Sequence, residues 1–416
     1  MVTHATDSVS RPKQRRRTIF RSLCFALYVL LAVTILLEIG LRFFLREDAG
    51  QDALFGMKLL PFPTLSPAHD VILRSEPSDW TYYQPDAATG WAIKPNGKSR
   101  DGLFVANSLG LRDAEVGEPT RLGSAKHRIL LLGDSFTHGD EVPYEATWGH
   151  QLEGLLGQEY AVLNGGVGGY GTDQALLRWR GLHPSLQPQT VILGIFPEDL
   201  WRNLTFFRVL KHHWSSFPFS KPRFVRTTSG LLLVNQPVLP PEAVADALAR
   251  YESHALSRDD LLYFHEFHED RFLDGSLLLR WMRSKSFYSR RHNSLEAMIA
   301  PGGAGTLLMA DLVNLFQTEA AQRNCRSLVI LIPGASDLPS YADLAPSASG
   351  GRLKALAEEL RARNLNFVDV GHDLRKNWYA KDTDRSLRRL YTNGTGHPTQ
   401  EGNAVIANTL KGILLP

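Results

Sequence analysis

Two kinds of hydrophobic pattern divide the chain. Ser22–Leu41 (SLCFALYVLLAVTILLEIGL) is apolar on every face, and Glu38 is its one charge. Twenty helical residues at about 1.5 Å each reach about 30 Å, the thickness of a bilayer core. From residue 127 the pattern changes: short apolar runs of strand length alternate with stretches of helical period. Arg128–Leu132, Tyr160–Leu163, Thr190–Phe196, Ser327–Ile332 and Asn366–Val370 read as strands. Glu145–Leu156, Asp173–Leu182, Arg352–Asn364 and a closing run from Gln400 to Ile413 read as helices. Nearly continuous apolar strands separated by helices predict right-handed crossovers and a parallel α/β sheet covered on both faces.

Between about 200 and 308 the alternation stops. Helical runs at Glu242–His254, Arg258–Asp270 and Gly275–Ser284 make this a mostly helical insertion at the carboxyl end of the third strand, where loops commonly set substrate choice. Residues 46–120 carry Pro61, Pro63, Pro67, Pro77 and Pro85, too frequent for long helices. They read as a stalk or N-terminal extension with short strands. The expected plan is a basic tail (1–21), an anchor (22–41), the extension (46–120) and a catalytic-type domain (121–416) with its insertion at 200–308.

Charge sharpens the N-terminal reading. The formal net charge is +3, yet Arg11, Lys13, Arg15, Arg16, Arg17 and Arg21 against Asp7 put more than that in the tail alone. The remainder is mildly acidic and offers no nucleic-acid surface. A cleaved signal peptide has a shorter apolar region, about 7–15 residues, and a small-residue cleavage site; neither is found here. The Arg15-Arg16-Arg17 cluster is also compatible with a twin-arginine export signal, but the apolar run is long for one. The basic flank predicts a cytoplasmic N-terminus on a single-pass anchor, with the main domain extracytoplasmic, periplasmic in a Gram-negative cell. Cys24 and Cys325 are the only cysteines, so neither a disulfide framework nor a thiolate metal site is expected.

The run Ile129–Leu132 ends abruptly in Gly133-Asp134-Ser135. A serine leaving a parallel strand sits at the carboxyl edge, where open α/β sheets hold ligands, and adjacent free N–H groups can stabilise an oxyanion. The competing reading is a helix N-cap by Asp134 or Ser135. His138, three residues on, is an alternative base. Gly166-Val167-Gly168-Gly169-Tyr170-Gly171 fits G-x-G-x-x-G, but it follows the second strand rather than the first, which weighs against a dinucleotide site. His265-Glu266-Phe267-His268-Glu269-Asp270 is rich in ligand types but is not H-E-x-x-H, and reads as a solvated polar face. Trp201, Phe206, Phe207, Trp214 and Phe217, interleaved with Arg202, Arg208 and Lys211, either grip a sugar acid or pack the insertion. No cofactor or metal is implied.

Gly133-Asp134-Ser135-Phe136-Thr137-His138-Gly139, then Asn164-Gly165-Gly166-Val167-Gly168-Gly169, then Gly396-His397-Pro398 ahead of the last helix resemble, in that order, the SGNH (GDSL-type) hydrolases. Asn107-Ser108-Leu109-Gly110-Leu111-Arg112 and the anchor resemble its membrane-anchored, extracytoplasmic branch. The resemblance implies a three-layer flavodoxin-like sheet and a serine ester hydrolase or O-acyltransferase. Ser135 is then the nucleophile and His397 the general base, with the N–H groups of Ser135 and Gly168 as oxyanion donors and Asp134, Glu198 and Asp199 in support. The substrate class implied is an acyl, chiefly acetyl, ester of a cell-surface carbohydrate. A lysophospholipase is a further option.

Two positions depart from the family pattern. Its third block usually reads Gly-x-Asn-Asp, with the Asn as an oxyanion donor; here the strand end is Gly194-Ile195-Phe196-Pro197-Glu198-Asp199. Glu198 is then protonated or turned elsewhere, or Asn203, the nearest amide, serves. The family's acid before the histidine is replaced by Gly394 and Thr395, leaving a backbone carbonyl, Asp382 or Asp384 as candidate partners for His397. A catalytically weakened glycan-binding or envelope-assembly protein is the alternative these departures favour.

Overall fold

The computed structural model describes residues 11–48, 50–119, 122–342, 344–345, 347–381, 389–392 and 396–415. The chain forms two compact units: residues up to Pro63 together with His265–His292, and Thr64–Phe264 together with Asn293–Pro416. This division differs from the one composition suggests. Most of the N-terminal extension belongs to the larger unit, and the insertion is shared between both.

In the smaller unit, Arg11–Arg42 is one helix. Its segment Arg16–Arg42 has a mean hydropathy of 2.4 and is long and apolar enough to cross a membrane. Phe20, Phe25, Tyr28 and Leu36 on it are each more than 60% exposed. Leu277–Gln322 passes the same measures of length and apolarity, but half of its apolar window is buried. Glu38, the acid inside the apolar run, accepts from the backbone N–H of Leu277 (2.8 Å) and Leu278 (3.0 Å) and from Ser276 Oγ (3.1 Å). It thereby caps the otherwise unpaired first turn of the helix Leu277–Ile299.

The larger unit is built on a seven-stranded sheet. In chain order its strands are β1 (Val105–Ala106), β2 (Arg112–Asp113), β3 (His127–Leu132), β4 (Tyr160–Asn164), β5 (Thr190–Ile195), β6 (Arg326–Leu331) and β7 (Val368–Asp369), arranged β7-β6-β5-β3-β4-β2-β1. The five strands from β7 to β4 are parallel, and β2 joins β4 antiparallel. Taken alone, the parallel strands have the flavodoxin-like order, whose switch point lies beside the first of them, β3.

Alternation along β3 assigns the two faces. Leu130 and Leu132 join one apolar layer with helices α1 (Thr172–Leu186), α2 (Ala304–Gln322) and α3 (Lys354–Ala362). Ile129 and Leu131 join the other, with the helices Trp148–Leu156 and Gln400–Leu414. The result is the expected three-layer α/β/α stack.

Several boundaries shift. The helix expected from Glu145 begins at Trp148, after a 3₁₀ turn at Tyr144–Ala146. Inside the insertion, Arg223–Thr227 and Gly230–Val234 form a hairpin, and Pro241–Ala249 is a shorter helix than expected. The run Arg258–Asp270 is not one helix. Asp260 there is buried and accepts from Phe206 N (2.9 Å), Thr205 Oγ1 (2.9 Å) and Tyr251 Oη (2.8 Å). Those long-range bonds override the local helical period.

Candidate active site

The turn after β3 is fixed by its backbone. Gly133 adopts φ +148°, and a Cβ there would collide with the Thr137 side chain and the Gly194 carbonyl, so only glycine fits. Asp134 is the N-cap of the short helix Ser135–His138, accepting from Phe136 N at 2.9 Å. Asp134 therefore takes the capping role, and Ser135 begins the helix.

Ser135 Oγ lies 2.9 Å from His397 Nε2. The histidine reaches it from a loop pinned on both sides. Thr392 N donates to His397 O (2.8 Å) and Thr399 N to Leu390 O (2.9 Å). Asn403, on the last helix, donates to Pro398 O (3.0 Å) and accepts from Trp148 N (3.1 Å). Phe136 stacks on Phe196 with centroids 3.8 Å apart and sits 5.1 Å from the His397 ring.

The partner on the far side of the histidine is Glu141, whose Oε1 is 3.5 Å from His397 Nδ1. Its other oxygen accepts from the Thr392 hydroxyl. Glu141 has φ +68°, a left-handed conformation that costs a non-glycine residue about 1–2 kcal/mol, and this conformation belongs to the turn that presents the carboxylate. Sequence reading did not single out Glu141. Its signal was the acidic pair Asp140-Glu141 directly after the turn-ending Gly139. Asp382, Asp384, Gly394 and Thr395 lie outside the described residues.

His138 does not act on Ser135. Its ring is fully buried, with Nδ1 2.5 Å from Asp140 Oδ1 and Nε2 2.6 Å from Tyr82 Oη. Burial lowers its pKa, so the neutral ring donates from Nδ1 to Asp140 and accepts the tyrosine proton at Nε2. Burial opposes ionisation of Asp140, but the hydrogen bond from His138 and the nearby Arg112 charge hold its pKa below the usual value. Arg112, from the Asn107–Arg112 motif, is 1% exposed and donates to Val142 O at 2.7 Å. Asn107 builds the turn that delivers it, accepting from Leu109 N (3.0 Å) and Leu111 N (3.1 Å).

The Gly165–Gly169 loop passes alongside. Val167 N donates to Gly133 O at 3.1 Å, tying the loop to the serine turn. A Cβ on Gly168 would come within 2.6 Å of Tyr83 Oη. That hydroxyl is buried and stands by the Gly168 backbone without completing a well-formed hydrogen bond, and burial raises its pKa well above 10.

Asp134 and Asp199 share one guanidinium. Arg202 Nη1 lies 2.6 Å from Asp134 Oδ2, 2.8 Å from Asp199 Oδ1 and 3.1 Å from Tyr170 O. The network joins the end of β3 to the end of β5. Burial and the Asp134 charge raise the pKa of Asp199, while Arg202 Nη1 and Phe196 N (3.0 Å) each donate to one of its two oxygens.

Glu198 is turned elsewhere, one of the alternatives its position left open: it pairs with Lys211, His212 Nε2 (3.0 Å) and Arg352 Nη1 (3.3 Å). Burial opposes its ionisation, but the His212 hydrogen bond and the Lys211 charge hold its pKa far below normal. Asn203 is fully buried, its amide nitrogen on Met309 Sδ (3.7 Å) and its oxygen on Asp173 N (3.2 Å). Of the aromatic group, Trp201, Phe206 and Phe207 are core residues and Trp214 is 69% exposed. Phe217 stacks on Trp91 at 4.9 Å.

No family model matches the sequence, and no curated protein does. Solved structures that resemble the chain include the acetyl xylan esterase AlAXEase, with 12% identity over 69% of this chain and all of that one, at a TM-score of 0.38. A carbohydrate acetylesterase from Sinorhizobium meliloti shares 14% identity over 70% and 98%, at 0.32. A lipolytic protein of the G-D-S-L family from Veillonella parvula shares 12% over 70% and 97%, at 0.34. In its strand order and its three sequence blocks, the chain is similar to the SGNH hydrolases.

Proposed function

We propose that the protein is a serine ester hydrolase or O-acyltransferase acting on acetyl esters of a cell-surface carbohydrate, held at the membrane by its N-terminal helix. The observation that carries this reading is the 2.9 Å contact of Ser135 Oγ with His397 Nε2. With the Glu141 carboxylate 3.5 Å from Nδ1, Nε2 takes the serine proton as Oγ attacks the acyl carbon. The N–H groups of Ser135 and Gly168 receive the oxyanion, each donor contributing about 3 kcal/mol in the transition state. Protonated His397 then gives its proton to the departing sugar oxygen. The acyl-enzyme passes to water or to a second sugar hydroxyl, deprotonated by the same histidine. Glu141 supports the enzyme reading over the binding-only alternative, because it supplies the acid that the histidine block lacks.

The test is p-nitrophenyl acetate turnover by the full chain in detergent, with Ser135→Ala as control, alongside acetate release from acetylated xylan. Serine-dependent turnover supports the reading, and equal rates in the two proteins overturn it. Transfer of acetyl to an added oligosaccharide separates transferase from hydrolase.

A further inference from the structure

In the smaller unit the exposed apolar surface does not stop at the N-terminal helix. Phe44, just beyond the end of Arg11–Arg42, is 55% exposed. Its ring centroid lies 5.4 Å from that of Phe55, and Phe55 meets Trp281 edge-on at 6.4 Å. Leu279 and Met282, one turn apart on the helix Leu277–Ile299, are exposed next to that tryptophan in sequence. Phe272, in the turn that leads into the same helix, is 99% exposed. So many uncovered apolar side chains mark an interaction surface. Another side of this helix is committed to the protein: Leu277, Ser284 and Phe287 are buried, and Ser284 Oγ accepts from Leu60 N (3.0 Å).

Two observations bear on what covers this surface. The first is depth. Glu38 lies inside the apolar run Ser22–Leu41, about 5 Å before its end at the helical rise. Because it accepts from the N–H groups of Leu277 and Leu278, the first turn of the second helix is level with the last turn of that run. A bilayer crossed by the run therefore also meets the apolar residues flanking Leu277. A carboxylate at that depth is tolerated when it is paired, and these bonds, with Arg42 at 3.1 Å, pair it. The second observation is a hairpin tip. Phe55 and Gly56 form the two-residue turn between the paired Leu54 and Met57. Phe55 has φ +52°, a conformation that such turns usually give to Asn, Asp or Gly. A strained and exposed phenylalanine gains nothing in water, whereas a ring at this tip gains by entering lipid.

We propose that this surface is a membrane-interface wedge. Phe44, Phe55, Phe272, Leu279 and Met282 enter the headgroup and upper acyl region of the leaflet from which the anchor emerges. The proposal rests on the reading of the N-terminal helix as a membrane anchor. It adds a second contact, made in the plane of the interface, that seats the smaller unit on the bilayer. Beyond Met282 the exposed positions of the same helix turn polar, at Ser286, Ser289 and Arg290, and there the helix faces water.

The experiment uses the full chain carrying Cys24→Ser and Cys325→Ala, reconstituted into vesicles of phosphatidylcholine and phosphatidylglycerol. Phe55→Cys, Phe272→Cys and Met282→Cys are each labelled with a nitroxide. Its relative accessibility to oxygen and to a water-soluble nickel chelate reads its depth. Leu31→Cys is the bilayer reference and Ser289→Cys the aqueous one, and melting midpoints equal to the parent's show that the variants fold. The three test labels are expected about 5–10 Å below the phosphate level, with Ser289 in water. Test labels as aqueous as Ser289, while Leu31 reads lipid, overturn the proposal and leave the anchor reading standing. An aqueous reading at Leu31 overturns the anchor reading and the wedge with it. Labels shielded from both reagents overturn the bilayer assignment, and spin–spin broadening among them identifies a second copy as the occupant. The unlabelled chain gives an independent measurement. Brominated phosphatidylcholine should quench a component of its fluorescence that Trp281→Phe removes, and identical quenching of the two proteins overturns the proposal.

Discussion

Glu141 Oε1 lies 3.5 Å from His397 Nδ1, on the side of the imidazole opposite Ser135. A carboxylate there fixes the tautomer with the proton on Nδ1 and stabilises the imidazolium formed during attack. Glu141→Gln is expected to lower kcat on p-nitrophenyl acetate by about 10²- to 10⁴-fold while leaving the fold intact. A loss smaller than about threefold, a limit set well below that range, would show that another group orients His397.

Asp140 makes a useful contrast, because its carboxylate is engaged by His138 at 2.5 Å. Asp140→Ala leaves His138 buried between Tyr82 and Arg112 with one ring nitrogen unmatched. Loss of that partner is expected to destabilise the fold by about 1–3 kcal/mol, measured by urea denaturation. Stability equal to wild type would sink this account.

Arg202 answers Asp134 and Asp199 together, from a site 7% exposed. Arg202→Met strands two buried acids, and breaking such a network costs about 3–5 kcal/mol. The guanidinium chloride midpoint reads this directly; an unchanged midpoint would mean that the trio contributes nothing net.

The cluster around Glu198 predicts a pH dependence. Burial is the main cause that lowers the His212 pKa from 6.5 to about 4. Between those values the unfolded chain holds the proton and the folded chain does not, so stability falls as pH drops from 6.5 towards 4. Glu198 acts in the same direction at lower pH: its folded pKa is depressed, so the stability it contributes above its ordinary value near 4.5 is lost on further acidification. Urea midpoints at pH 7 and 4.5 should differ more for the wild type than for His212→Gln, and parallel shifts would refute the assignment.

The sheet was legible because its strands are covered on both faces and read as unbroken apolar runs. Ser135 stood out because it follows an apolar strand that breaks at Gly133, whereas Gly168 and His397 were singled out through the resemblance of their blocks to the family pattern. Glu141 was not, since the reach of its carboxylate depends on a left-handed backbone that no side-chain pattern announces. Helix α2 was passed over for a different reason. Gly305, Leu308, Met309, Ala310, Leu312 and Val313 are all buried, so the polar stripe that marks an amphipathic helix starts only at Asp311 and Asn314. The helix expected over Asp173–Leu182 runs on to Leu186, with Pro184 inside it.

On the proposed reading, nucleophile and acid share the span Ser135–Glu141, and the histidine arrives from a distant part of the chain. Their relative placement is thus set by a local turn, and a single long-range closure assembles the three groups. Displacing the His397 loop would switch the chemistry off while leaving serine and carboxylate in register. This makes the seven-residue span a self-contained cassette, and the C-terminal loop the separable half of the catalytic apparatus.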